Sequence, residues 1–155
     1  MKKIIKNFRQ KPISLKISIG LSLILFLISL TQPAFYIDRR EDPNAYSDSL
    51  TLFLLGWTSL LGGAIIPFFI WFANPLYFVA IILTIKSKSL GLYFALAATI
   101  LAFIFSQLHT IMTSESGSTS VITSRGLGFK LWFISIIILT LSLTANRLLN
   151  QKKCN

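Results

Sequence analysis

The chain has 155 residues, 54% of them apolar and only 13% charged, with a formal net charge of +10. A soluble domain averages about 25% charged residues, so this composition, with its mean hydropathy of +0.71, excludes a surface made to face water and points to a bilayer. The charges fall in separate stretches, so the positive balance reads as membrane topology and not as a nucleic-acid footprint.

All five carboxylates lie in two stretches, Asp38, Glu41, Asp42 and Asp48 in one and Glu115 in the other. Lys2, Lys3, Lys6, Arg9, Lys11 and Lys16 precede the first apolar run, Lys86 and Lys88 sit at a middle junction, and Arg147, Lys152 and Lys153 follow the last run. Lys and Arg resist translocation and stay cytoplasmic. Threading the chain on that rule puts eleven basic and no acidic residues inside, and four basic with five acidic outside. Both termini are then cytoplasmic, and the basic inner face suits anionic lipid. The expectation is an all-α integral membrane protein with a single transmembrane domain over residues 1–155. It is a four-helix transmembrane bundle with a short outer interfacial helix.

The first span is expected over about 14–31, since about 20 helical residues cross the hydrocarbon layer. Lys16 snorkels at its inner end, and Pro33 ends it. The long charged leader and the absence of a small-x-small site after Thr31 favour a retained anchor over a cleaved signal peptide. Residues 33–49 read as an outer loop. Residues 50–85 are too many for one span and few for two. Gly62-Gly63 and Pro67 punctuate them. Two spans here would total five and put the two basic ends on opposite faces. The four-span alternative makes 50–61 an interfacial helix and 66–85 the second span, with Pro67 in its first turn and Lys86 and Lys88 inside. The third span covers about 90–106. An outer loop rich in Ser and Thr follows over 107–126, with a short extended piece at Val121-Ile122-Thr123. The fourth span covers about 127–145, with Lys130 near its outer end. Trp57, Trp71 and Trp132 all fall on the outer half, Tyr36 and Tyr46 in the outer loop and Tyr93 near the inner boundary, as ring preference for the headgroup level requires. No internal repeat supports an inverted-repeat transporter.

The strongest local feature is Trp71-Phe72-Ala73-Asn74-Pro75. A proline inside a helix frees the carbonyl four residues earlier and bends the axis. Asn74 is the only amide well inside a span, so it either lines a pore or cleft or bonds the freed carbonyl or a neighbouring helix. Asn74, Pro75, Trp71 and Trp57 are therefore the candidates for a pore or partner contact. Gly91, Ala95, Ala98 and Ala102 share one face of the third span, and Ser14, Ser18 and Ser22 recur every four residues on the first. Such small-residue stripes let helix backbones approach closely, which makes Ser18, Ser22, Gly91, Ala95, Ala98 and Ala102 the packing candidates.

Chemistry is sparse. His109 stands at the outer end of the third span beside Gln107, without the HxxxH or HExxH spacing of a metal site. One His excludes bis-His haem ligation within a chain. Cys154 is the only cysteine, so neither an internal disulfide nor a cysteine metal cluster is possible. No carboxylate, His or Cys lies within a span, which argues against intramembrane catalysis and against ion-driven transport. No metal and no cofactor are expected. His109 and Asp48 are the only plausible participants in any chemistry at the outer boundary.

Residues 55–76, LGWTSLLGGAIIPFFIWFANPL, and 123–134, TSRGLGFKLWFI, resemble segments of small, uncharacterised four-span proteins of bacterial cytoplasmic membranes. In those, a GW…W-x-ANPL core is followed by a GLG motif that opens the last span. Phe129 and Lys130 stand here where an aromatic pair is usual. The resemblance implies four spans and a bacterial inner-membrane location, and it transfers no activity. The expected function is thus a non-enzymatic membrane component that acts by contacting another membrane protein, as a subunit, accessory or immunity-type protein. The alternative is a small oligomeric channel, facilitator or holin-like protein. Its partners are the lipid bilayer and another membrane protein or further copies of itself, and not nucleic acid.

Overall fold

The computed structural model describes residues 11–38, 45–86, 88–112 and 119–152. The basic leader up to Arg9, the Arg39–Asp42 charge run, Glu115, Lys153 and Cys154 lie outside the described residues. Helix α1 (Ile13–Ser29) leads into strand β1 (Pro33–Ile37). Strand β2 (Tyr46–Asp48) passes directly into helix α2 (Ser49–Leu55), whose start is capped by the Asp48 carboxylate accepting from the Thr51 amide, as an N-cap aspartate should. A 3-10 turn, Gly56–Leu60, continues it. Gly63 then reverses the chain with φ +79°, a left-handed value open to glycine at little cost.

Helices α3 (Ile65–Trp71) and α4 (Ala73–Ile85) form one apolar rod, interrupted at Phe72. The interruption lies just before Pro75, which has no amide hydrogen for the Trp71 carbonyl. Helical bonding resumes from the Leu76 amide to the Phe72 carbonyl at 3.0 Å. Helix α5 (Leu90–Gln107) runs back to strands β3 (Thr110–Met112) and β4 (Thr119–Arg125). Helix α6 (Leu127–Lys152) closes the chain. Ile65–Ile85, Leu90–Gln107 and Leu127–Gln151 are each long and apolar enough to cross a membrane, and α1, at 17 residues, is a shorter apolar helix.

The all-α expectation holds in part, since the chain is mostly helical with three long apolar helices but also carries a small sheet. The two segments expected to be outer loops, 33–49 and 107–126, supply the four strands of one antiparallel sheet, in the order β2-β1-β4-β3. The expected extended piece at Val121–Thr123 lies within β4. The sheet sits on the one end of the helices where α1 and α5 finish and α6 begins. Pairing satisfies backbone groups that the helices cannot reach. Ala34, Phe35 and Ile37 point from β1 into a small second core with Ile70, Phe105 and Phe129.

Helix α5 is inside out relative to a helix of a water-soluble bundle. Ala95, Ala98 and Ala102 are fully buried while Ile100 and Phe103 on the same helix are 60% and 55% exposed. Large apolar groups outward and small ones inward is the arrangement for hydrocarbon surroundings, where close backbone approach replaces hydrophobic collapse. Gly91 meets the Thr84 hydroxyl and the Ala80 carbonyl of α4 so closely that a methyl group would lie 2.7 Å and 3.0 Å from them.

The Gly126-Leu127-Gly128 start of α6 has the tightest fit. A β-carbon on Gly126 would strike the Pro33 carbonyl, and one on Gly128 would strike the Ser49 hydroxyl and the Gln32 and Pro33 carbonyls. Neighbouring backbone cannot yield as a flexible side chain would. Gly126→Ala is expected to destabilise the protein by about 2 kcal/mol or more, lowering the melting temperature in detergent. Gly20→Ala, at a position with open space around it, is expected to stay within about 0.5 kcal/mol of the parent.

Candidate functional site

Where the sheet meets the helices, a partly enclosed cavity of about 320 Å³ opens. This is at the lower end of the range for small-molecule sites. Its walls come from the end of α1, strands β1 and β3, the α2 hairpin, α3, α4 and the first turns of α6. None of its lining residues among the described ones is ionisable.

Three contacts build the cavity's deep end. The Trp132 indole nitrogen of α6 donates to Asn74 Oδ1 of α4 at 2.8 Å. The Trp71 indole nitrogen donates to the Phe53 carbonyl of α2 at 2.8 Å, and Gly56 lets the Trp71 ring lie directly against its backbone. The α2 hairpin is thus strapped to α3, and the broken rod is strapped to α6.

Hydroxyl groups around the wall are occupied locally. Ser29 donates to the Phe26 carbonyl, Ser49 to the Gln32 carbonyl, Thr58 to the Leu55 carbonyl, Ser59 to the Gly56 carbonyl, and Thr51 to the Asp48 carboxylate, all within 2.9 Å. Asn74 differs. An indole N–H only donates, so Oδ1 is the end that meets Trp132. The Asn74 amide nitrogen is left with no protein partner among the described residues, although the residue is only 8% exposed.

Below the cavity a second polar cluster closes the bundle. The Ser22 hydroxyl donates to the Ser135 carbonyl at 2.7 Å, and Ser22 Oγ lies 2.6 Å from the Tyr77 hydroxyl. The Ser22 proton is committed to a carbonyl, so Tyr77 is the donor in that pair. Tyr77 is fully buried and stacks on Phe26 with ring centroids 5.0 Å apart. The cluster joins α1, α4 and α6 and seals the interior beneath Asn74.

Arg125, the last residue of β4, closes the side of the site at the end of α5. Its Nη2 donates to the carbonyls of Phe105 at 3.1 Å and Ser106 at 3.2 Å and to that of Leu108. Its guanidinium lies 5.1 Å and 5.7 Å from the ring centres of Phe105 and Phe129. The unpaired carbonyls and negative dipole end of a helix favour a cation there. Burial pushes the guanidinium pKa below its usual value, yet a guanidinium titrates so high that it keeps its charge. At the opposite end of the bundle, Lys11, Lys88 and Arg147 border a polar cleft.

Of the residues singled out in the sequence, Asn74 and Trp71 line the cavity. Pro75 is half-buried beside it, and Trp57 is 48% exposed and outside it. Ser22 is buried in the Tyr77 cluster, Ser18 is half-buried, and Gly91, Ala95, Ala98 and Ala102 are all buried. His109 is exposed. No group of three or more metal-ligating side chains occurs among the described residues. The sequence pattern did not single out Tyr77, Ser135 or Arg125, and it marked Trp132 only as an interfacial ring. A cation set directly before a Gly-Leu-Gly helix start was the available signal for Arg125. Nothing local marks Ser135. The two stretches that carry the resemblance, 55–76 and 123–134, meet at this cavity through Asn74 and Trp132. Against known proteins, no family model, curated protein or solved structure matches the chain.

Trp132→Phe would keep the ring and leave Asn74 Oδ1 without its donor. A loss of about 1–3 kcal/mol is expected, read as a lower melting temperature in detergent. Arg125→Lys would replace a fork by a point donor and is expected to melt earlier than the parent for the same reason, with α5 and β4 loosening first in hydrogen exchange.

Proposed function

We propose that the chain is a multi-pass protein of a bacterial cytoplasmic membrane that crosses it four times, with both ends in the cytoplasm. It works without catalysis, by touching another membrane protein at its outer end. Four crossings count α1 as a span. At 1.5 Å per residue its 17 residues reach about 26 Å, a mismatch that snorkelling of Lys16 and slight bilayer thinning absorb. The sheet, the α2 hairpin and the described carboxylates Asp38 and Asp48 then share the outer face.

The observation that carries the partner reading is the α2 hairpin. Neither α2 nor its 3-10 continuation has a single buried residue, and Leu54, Trp57 and Leu61 are 55%, 48% and 81% exposed. The segment is strapped in place by Trp71 and packs Leu52 and Phe53 against the core, while its other large apolar side chains face outward. A channel built from several copies is the competing reading. The engagement of Asn74 Oδ1 and Ser22 within one copy counts against their lining a shared pore.

Cys154 makes the topology testable without added tags, because it is the only cysteine. A membrane-impermeant maleimide is expected to label it only after the cells are opened, and labelling of intact spheroplasts would overturn the arrangement. For the contact itself, a photo-crosslinking residue at Trp57 is expected to give one discrete protein adduct in membranes, while the same residue at Ile100 gives lipid adducts only. An adduct of twice the chain mass would favour the oligomer, and lipid adducts alone at both positions would remove the partner reading.

A further inference from the structure

The geometry points to the cavity as a binding site for a neutral, lipid-soluble carbonyl compound whose oxygen accepts from the Asn74 amide. The reasoning starts from the donor inventory. Both cavity indoles and the hydroxyls of Ser29, Ser49, Thr51, Thr58 and Ser59 have their hydrogens committed inside the protein. The Asn74 amide nitrogen alone is left with hydrogens to give, on a residue that lines the cavity and is more than nine-tenths buried. That nitrogen is open to the cavity and not sealed in, since the one sealed side-chain polar atom without a partner among the described residues is Arg125 Nη1, and an accessible amide N–H in an apolar space is satisfied by whatever acceptor enters, water or ligand. The group it would meet must therefore be an acceptor.

Neutrality follows from the walls. No charged side chain among the described residues lines the cavity, and the nearby Arg125, which turns Nη2 to the helix carbonyls and keeps Nη1 buried without a partner among the described residues, lies outside the lining. An anion would pay its desolvation here without a counter-charge. An apolar body is required because the rest of the lining is Leu, Ile, Phe, Pro, Met and Trp surface. Trp71, Phe129 and Trp132 supply flat faces to a ring or a chain. Two membrane constituents share this chemistry, the ester carbonyl of an acyl lipid and the ring carbonyl of a quinone.

The inference uses the membrane placement proposed above but does not depend on the protein partner. Labelling of Cys154 reports on the first, and ligand retention reports on this site alone. The test is native mass spectrometry of the full chain released gently from membranes, with solvent extraction of whatever it carries. One molecule per chain is expected in the parent protein. A fragment mass of a diacyl lipid identifies the ester, and an ultraviolet band bleached by borohydride identifies the quinone. Ala64→Phe fills the space from the wall and leaves the amide intact, and it is expected to abolish retention. Asn74→Leu keeps the volume and removes the donor together with the acceptor of Trp132, and it is expected to weaken retention about tenfold, whereas Trp132→Phe, which removes only the structural bond, is expected to retain the ligand. Melting curves establish that each variant is folded, and if Ala64→Phe or Asn74→Leu is not, the other decides. Retention unchanged in a folded Ala64→Phe or Asn74→Leu variant, retention lost in a folded Trp132→Phe variant, or a parent protein that carries no molecule at all, overturns the proposal.

Discussion

A single hydrogen bond, Trp132 to Asn74 at 2.8 Å, ties together the parts of this molecule that would otherwise drift. Pro75 breaks the α3–α4 rod, and a broken helix in an apolar medium has backbone groups to satisfy and no water to satisfy them. Asn74 fixes the second piece, α4, to α6. On the first piece, Trp71 donates to the Phe53 carbonyl and so holds the α2 hairpin. The indole can serve this purpose because it is donor only, which orients the amide and commits its oxygen. The same bond that stabilises the break therefore also decides which half of Asn74 looks into the cavity.

The other half of the construction is close approach. Hydrocarbon surroundings remove the drive that packs a soluble core, so helices associate where small residues let them. Gly91, Ala95, Ala98 and Ala102 do this along α5, and Gly126 with Gly128 do it at the top of α6, against the backbone between α1 and β1. The second contact explains the sheet. Once α6 begins against Pro33, β4 just before it lies beside β1 just after α1, and the Gly126 amide donates to the Ala34 carbonyl at 2.8 Å. Strand pairing follows from how the helix ends are docked.

The long apolar helices could be read from the sequence because hydropathy is a property of each segment by itself. The expected 66–85 and 90–106 differ from Ile65–Ile85 and Leu90–Gln107 by about one residue at any end. The break before Pro75 and the inward stripe of α5 were equally local. The sheet was not legible. Its strands are three to seven residues long, and its central pair joins segments from near the two ends of the chain. Only the docking of helices makes such strands neighbours. The site shows the same divide: Asn74 and Trp71 announce themselves by residue type within an apolar run. Arg125 acquires its role from the end of α5, and Tyr77 from Ser22 on another helix, so neither is visible one segment at a time.

The cavity's chemistry follows from this assembly rather than from any one motif. The GW…W-x-ANPL stretch supplies a free amide hydrogen, a ring and a hairpin wall. The Gly-Leu-Gly start supplies the contact that brings Phe129 and Trp132 opposite them. Either stretch alone would leave an ordinary apolar surface facing lipid. Together they enclose a space with one directed side-chain donor and, among the described residues, no charge, at the level where helices give way to sheet. An apolar space of this kind, half open and set in a bilayer, is filled by what the bilayer contains. The orientation of Asn74 then selects among those molecules for one with an oxygen to offer.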